Sequence, residues 1–315
     1  LPATYPLFAT NHTCNLSMDG ARFVELSKAF DYTLARNPVK HVILCVDVYM
    51  FSSDTRWMQD FSESRFNPNL NWFSYYSKQL LGRASTDDSW NTLRRKLKHE
   101  IPSPQSQLGF YKHDIGVGTS QRDLFDRVLH FMWNAYRSQA VDPAQMELFR
   151  HVVRVCRDRG IDLQIAIMPV HALDLELLHA GGRWPELEKW KTDLVDALAE
   201  EGVEGKFNLW DFSGYSGPPT ETVPPVGDTS TRMKFYFENS HCTPLVGGYM
   251  LDAMLQPETG AHLIDGRTFG VKLTRANLKE HLTQTLAERE ADARTHEAEI
   301  RWIERIVNGS GNKSS

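Results

Sequence analysis

Three times along the chain an amphipathic helix pattern meets a breaker and then a short β-rich run. This is the rhythm of βα units, which a parallel sheet covered by helices accommodates. In the first unit Phe23, Leu26, Phe30 and Leu34 recur at helical spacing and Asn37-Pro38 stops the helix. The run HVILCV (41–46) then reads as a buried strand with Asp47 at its carboxyl end. The second unit has Asp142 as N-cap, Pro143 at the first helical position, an apolar stripe of Phe149, Val152, Val153 and Cys156, and Gly160 as terminator. Leu163 to Met168 follows as a strand. The third sets Leu187, Trp190, Leu194 and Leu198 on one helix face, breaks at Gly202 and Gly205, and gives a strand from Phe207 to Trp210 ended by Asp211. The pattern predicts an α/β fold, a three-layer parallel sheet flanked by helices.

At 315 residues, 41% hydrophobic and 24% charged, the chain can bury a full core, which excludes disordered and fibrous classes. Its net charge is −5 and its basic residues are spread through the helices, which argues against a nucleic-acid partner. Cys14, Cys45, Cys156 and Cys242 stand in no metal-type spacing, and no cofactor is implied. Cys45 and Cys156 lie inside apolar patterns and read as buried thiols. No apolar stretch approaches the ~20 residues of a membrane-spanning helix, and no signal peptide is visible. The chain opens at Leu1 in a loop-like LPATYP, which raises the expectation of a further piece upstream.

Residues 52–120 differ from the rest. They are aromatic-rich (Trp57, Phe61, Phe66, Trp72, Phe73, Tyr75, Tyr76) and helical in pattern, and they read as an inserted helical cap. Residues 213–232, rich in Gly, Pro, Ser and Thr, read as a surface loop. From Thr274 to Val307 the pattern is helical, but Ala287 to Glu299 is nearly all charged or small. Only Leu278, Leu282, Leu286, Trp302 and Ile303 offer a packing stripe, which predicts a peripheral extension. The expected organisation is therefore an α/β domain over 1–270 with the cap at 52–120, and a helical extension over 271–315 with a frayed tail.

Ligands of open parallel sheets bind outside the carboxyl ends of the strands, where Asp47, Pro169-Val170-His171 and Asp211 fall. His171 and Asp211 are accordingly candidate substrate-binding residues. The strongest signal is FYFENSHCTPLVGGYML, in which Glu238 and His241 stand three apart just before a helix that can start near Pro244. A carboxylate accepting from one imidazole nitrogen fixes the tautomer and leaves the other nitrogen to act as base toward a hydroxyl nucleophile. The alternative is a helix-capping or buried structural His241 beside a solvated Glu238. Ser17, Ser240 and Cys242 are near glycine or histidine blocks, but none lies on the sharp strand-to-helix elbow that exposes a nucleophile.

The segments NLSMDGAR (15–22), VKHVILCVDVYMF (39–51), IAIMPVHA (165–172), LWDFSGY (209–215) and FENSHCTPLVGGYML (237–251) together resemble bacterial envelope proteins with an SGNH-hydrolase-like domain. That group is distantly similar to the alginate acetylation and D-alanine transfer proteins. The resemblance implies an SGNH or flavodoxin-like sheet, a carbohydrate or acyl-ester substrate, and a periplasmic or extracytoplasmic location with a membrane anchor upstream. Glu238-Asn239-Ser240-His241 matches the D-x-x-H-type block with Glu in place of Asp, making His241 and Glu238 the catalytic base and orienter. Gly20 matches the glycine block that contributes an oxyanion-hole N–H. Asp47 stands in the oxyanion-hole block where an Asn is usual, and an ionised Asp cannot donate a hydrogen bond. The Gly-x-Ser block would lie upstream of Leu1.

The resulting expectation is a serine-dependent esterase or O-acyltransferase acting on acyl groups of envelope carbohydrate. The alternative is a non-catalytic envelope or polysaccharide-binding scaffold with a degenerate site. A third reading, a metal hydrolase using His171, Asp211, Glu238 and His241, lacks supporting motif spacing. The aromatic cap would suit sugar binding.

Overall fold

The computed structural model describes residues 13–18, 20–53, 61, 64–81, 83–97, 115–138, 140–260, 263–264 and 266–309. Leu1, Trp57, parts of the 52–120 cap and the tail from residue 310 lie outside them. The chain forms two compact units, one of residues 39–54 and 114–315 with 1–2, the other of residues 3–38 and 55–113.

The larger unit is built on a four-stranded, mostly parallel sheet flanked by helices. Strands β1 (His41–Val46), β2 (Asp162–Ile167) and β3 (Asn208–Asp211) run parallel in that order. Five consecutive positions of the central strand, Leu163 to Ile167, are apolar or neutral and buried, as expected of a parallel strand covered on both faces. The one polar side chain among them, Gln164, accepts a hydrogen bond from Asn208 Nδ2 of β3 at 3.1 Å.

Helix α4 (Gln121–Ser138) precedes α5 (Pro143–Arg159), which leads into β2. The Asp142 carboxylate accepts from Ala144 N–H at 2.9 Å to cap α5, and Gly160 closes it at φ 66°, a conformation only glycine adopts without strain. Phe149, Val152, Val153 and Cys156 are fully buried, and each Phe or Val contributes roughly 1.5–3 kcal/mol by leaving water. After β2 come α6 (Ala172–Ala180) and α7 (Trp184–Glu200), whose apolar face of Leu187, Trp190, Leu194 and Leu198 is buried. Trp190 meets the ring of Phe51 edge-on at 5.5 Å, and Phe51 in turn meets Phe149 at 6.2 Å. Strand ends fall within one residue of the sequence expectation, and Asp211 closes β3 instead of following it.

The sheet, the C-terminal segment and the 213–232 loop each depart from expectation. The sheet is not wholly parallel, because Val271–Leu273 joins β3 antiparallel with Leu209 opposite Leu273 and Asp211 opposite Val271. This strand, β8, follows β4 (Tyr236–Glu238), β5 (His241–Cys242), helix α8 (Pro244–Leu255) and the two-residue strands β6 (Leu263–Ile264) and β7 (Arg267–Thr268). The segment after residue 270 packs at the expected Leu278, Trp302 and Ile303 and also beyond them. It forms helices α9 (Leu278–Thr295) and α10 (Glu297–Gly309), and Trp302, Ile303 and Ile306 are buried. Its charged run concealed this, since Arg289 pairs with the buried Glu176 of α6, its Nε donating at 2.9 Å. Trp302 Nε1 donates to Asp126 of α4 at 2.8 Å while the Arg122 guanidinium lies 3.5 Å over its ring. The 213–232 loop is likewise anchored, with Tyr215, Pro218, Pro219 and Val223 buried.

In the smaller unit α1 (Phe23–Leu34) buries Phe23, Ala29, Phe30 and Leu34, and Tyr32 meets Phe66 edge-on at 5.4 Å. Helices α2 (Trp72–Leu81) and α3 (Arg83–Leu97) give the cap region its helical character.

Gly270 tests the entry to β8. It sits at φ 85°, and a Cβ there would lie 2.4 Å from the Phe212 ring. Gly270→Ala is expected to cost about 1–3 kcal/mol through overpacking, with left-handed strain added. Thermal denaturation reads the loss, and an unchanged Tm would show that Phe212 moves aside without cost.

Candidate active site

Glu238 and His241 meet because Asn239-Ser240 is the two-residue turn of a β-hairpin. β4 and β5 pair antiparallel with Glu238 directly opposite His241. The Glu238 carboxylate accepts from His241 Nδ1, and Ser240 completes its environment. Ser240 N–H donates to Oε2 at 2.7 Å, and its hydroxyl is 3.1 Å from both carboxylate oxygens. Burial pushes Glu238 up, but its hydrogen bond and charge interaction with His241, together with the Ser240 donors, outweigh this and hold it below the usual carboxylate range. The His241 side chain is 45% exposed and that of Glu238 11%, so an inward carboxylate holds an outward imidazole. With Nδ1–H given to Glu238, the basic lone pair is on Nε2.

The hairpin is fixed at the carboxyl end of β2 by buried polar contacts. The Tyr236 hydroxyl donates to Pro169 O at 2.7 Å, and His171 N–H donates to Asn239 O at 2.8 Å. Gln121, fully buried at the start of α4, donates to Tyr236 O and Phe237 O and accepts from Met233 N–H. The Glu221 carboxylate accepts from Lys234 N–H at 2.6 Å and Phe235 N–H at 2.8 Å, tying the 213–232 loop to the same strand.

His171 belongs to this support. It caps α6, its Nδ1 accepting from Leu173 N–H at 3.2 Å, while Nε2 donates to Glu221 O at 2.7 Å. Phe125 and Tyr236 meet its ring edge-on at 5.0 and 5.1 Å. Burial lowers its pKa to about 4, so the imidazole is neutral and both nitrogens serve the main chain. Asp211 is also internal. Lys191 Nζ donates to Oδ2 at 2.6 Å, His281 Nε2 lies 2.9 Å from the same oxygen, and Ser213 donates its N–H and hydroxyl to Oδ1. Burial raises the Asp211 pKa, but Lys191 and His281 together drive it far below the carboxylate range. Both side chains are buried and engaged within the chain.

Asp47 caps a 3-10 turn (Val48–Phe51), accepting from Met50 N–H at 3.0 Å, so the end of β1 offers an acceptor. Gly20, in the smaller unit, adopts a left-handed φ of 63°. Burial pushes the Cys242 thiol up to about 12, which disfavours the nucleophilic thiolate. The Ser240 hydroxyl lies on the Glu238 side of His241, 3.1 Å from Nδ1, which also excludes it from that role. Among the described residues no group of three or more His, Cys, Asp or Glu could hold a metal ion.

The sequence reading missed Asp174. This carboxylate in the first turn of α6 is 1% exposed, accepting from Tyr136 OH at 2.6 Å and Asn239 Nδ2 at 2.7 Å. Burial raises its pKa to about 7 against these hydrogen bonds, and the charges of Glu238 and Asp47 add to the rise. Asn239, already inside the motif, was the available signal, because an amide in a tight turn needs partners when buried.

Two outcomes are expected. Asp211→Ala leaves the Lys191 ammonium buried without its carboxylate and is expected to cost about 3–5 kcal/mol, with Asp211→Leu/Lys191→Met regaining part of it in urea denaturation. Equal losses in the two variants would deny the ion pair its role. Asp174 has a folded pKa raised from its ordinary value to about 7, so the stability it lends is full below the ordinary carboxylate pKa and disappears as pH climbs toward 7. The Tm of Asp174→Asn should therefore gain on the unaltered protein between pH 5 and pH 8; a gap independent of pH would refute the shift. Compared with protein-family models, curated proteins and solved structures, the chain gives no match.

Proposed function

We propose that the chain carries the base and orienter of a serine-dependent esterase or O-acyltransferase that acts on acyl groups of envelope carbohydrate. One observation carries the reading: an inward, ionised Glu238 accepts from Nδ1 of a half-exposed His241 at the carboxyl end of a mostly parallel sheet. In this role His241 Nε2 removes the proton from an attacking serine hydroxyl as its oxygen bonds to the acyl carbon, then returns it to the leaving alkoxide. Glu238 holds the ring and stabilises the imidazolium that forms between the two transfers. The serine, by the SGNH resemblance, belongs to a Gly-x-Ser block upstream of Leu1. Location in the periplasm or another extracytoplasmic space, and an upstream anchor, belong to the same proposal.

A specific feature supports a second reading, the non-catalytic scaffold. Asp47 stands where the resemblance calls for an amide donor, and its carboxylate accepts from Met50 N–H. A site without that donor loses about 10²–10³ in rate in enzymes where the loss has been measured.

The test is acetate release from a generic acetyl ester by the chain extended upstream through the serine block. His241→Ala is expected to lower kcat/KM by about 10²–10⁴-fold with an unchanged circular dichroism spectrum. Glu238→Gln should lower it less while keeping the hairpin. Activity that survives His241→Ala would overturn the assignment, and an extended protein inert with His241 intact would favour the scaffold.

A further inference from the structure

The largest exposed apolar side chains of the smaller unit form two stripes. On α2 Phe73 is 86% and Leu80 75% exposed, with Tyr76 between them; on α3 Leu97 is 73% and Trp90 65% exposed, with Leu93 between them. Each set is spaced by three and then four residues, so each occupies about 60° of arc on its helix. Apolar rings and leucines aligned in this way are not scattered surface residues but two amphipathic faces turned to solvent.

The sequence of the two helices carries one sign of charge in excess. Residues 72–97 hold Lys78, Arg83, Arg94, Arg95 and Lys96 against Asp87 and Asp88, in a chain of net charge −5. Arg94 and Lys96 are exposed, and helical geometry sets them on opposite flanks of the Trp90, Leu93, Leu97 stripe. Long basic side chains in that position can extend outward to phosphates while their stems cover apolar surface. At ~22 Å, α3 is too short to cross a bilayer core, and no described helix is long and apolar enough to do so. Such a helix fits in the plane of a lipid interface.

We propose that α2 and α3 form a docking surface for an anionic lipid bilayer, with Phe73, Tyr76, Leu80, Trp90, Leu93 and Leu97 entering the headgroup boundary and Arg94 and Lys96 meeting lipid phosphates. Charge selects this occupant over a second copy of the chain. Two copies of α2 and α3, each with that basic excess, repel one another, whereas an anionic surface attracts them.

The experiment is co-sedimentation of the 315-residue chain with vesicles of equal parts phosphatidylglycerol and phosphatidylcholine, set against vesicles of phosphatidylcholine alone. Binding is expected to the anionic vesicles, to weaken with added salt, and to be much weaker on the neutral ones. Leu80→Ser with Leu97→Ser should lower partitioning at least about 10-fold. Arg94→Gln with Lys96→Gln should lower it by about 10–30-fold. These residues are exposed, so circular dichroism is expected to stay unchanged; if the serine variant unfolds, the glutamine variant and the salt dependence still decide. No binding to anionic vesicles, or binding indifferent to both variants, would overturn the proposal. So would light scattering that shows a dimer dispersed by Leu80→Ser and Leu97→Ser without vesicle binding, which would give the stripes to a second copy.

Discussion

Lys191 is 1% exposed beside Asp211, and the requirement that such a group keep its partners determines what the carboxyl end of the sheet can present. An ammonium in the interior without a carboxylate is prohibitively unfavourable, so Asp211 is committed to Lys191, Ser213 and His281. That commitment joins α7, the end of β3 and α9 at one point. It also removes from solvent a residue whose position at a strand end marks it for ligand binding. The same logic governs His171, whose two nitrogens satisfy Leu173 N–H and Glu221 O, and Gln121, which satisfies two carbonyls of the β4 segment. Buried polar groups at this edge serve one another. The Glu238–His241 hairpin is the exception: half of its ionisable pair remains in water.

Two carboxylates near that hairpin have been driven in opposite directions. Glu238 has a histidine and a serine as partners and is held ionised, whereas Asp174 has only neutral donors and is raised to about 7 by burial. Glu238 and Asp47 act on Asp174 through space, so an ionised Glu238 favours a protonated Asp174. Acids with separated pKa values in one small region are a mark of functional sites, though structural networks produce them as well. Here Asp174 reaches the hairpin through Asn239 Nδ2, a contact that helps hold the turn in place.

The parts of this fold that were legible in the sequence are those decided locally. Asp142, Pro143 and Gly160 bound α5 because capping and left-handed closure depend on residues within one turn. HVILCV reads as β1 because five apolar residues in a row between breakers are enough to mark a strand, even at the sheet edge, where only Leu44 and Val46 are buried. The antiparallel strand β8 was not legible, since VKL is three residues long and gains its strand character only from pairing with β3. The packing of Leu278, Trp302 and Ile303 was readable, but the Arg289–Glu176 contact was not, because both look like ordinary surface charges until the fold brings residues 113 positions apart together. In the site the Glu238–His241 spacing was readable, but Asp174 was not. An acid in a first helical turn is expected on grounds of the helix dipole alone, and only its distance from solvent distinguishes it.

The aromatic residues of the cap region change meaning once their exposure is known. Sugar-binding aromatics work by forming a wall that closes on a ring, together with polar groups that fix its hydroxyls. Phe73 and Tyr76 instead lie on the outer face of α2 beside Leu80, and Trp90 lies on α3 in line with Leu93 and Leu97. Leucines contribute nothing to sugar stacking, but they contribute fully to insertion into an apolar boundary. The recurrence of the same three-then-four spacing on two successive helices, with Arg94 and Lys96 flanking the second, is what an interface between water and anionic headgroups selects. A carbohydrate site has no use for the leucines, whereas a lipid surface accounts for the leucines, the aromatic rings and the charges together.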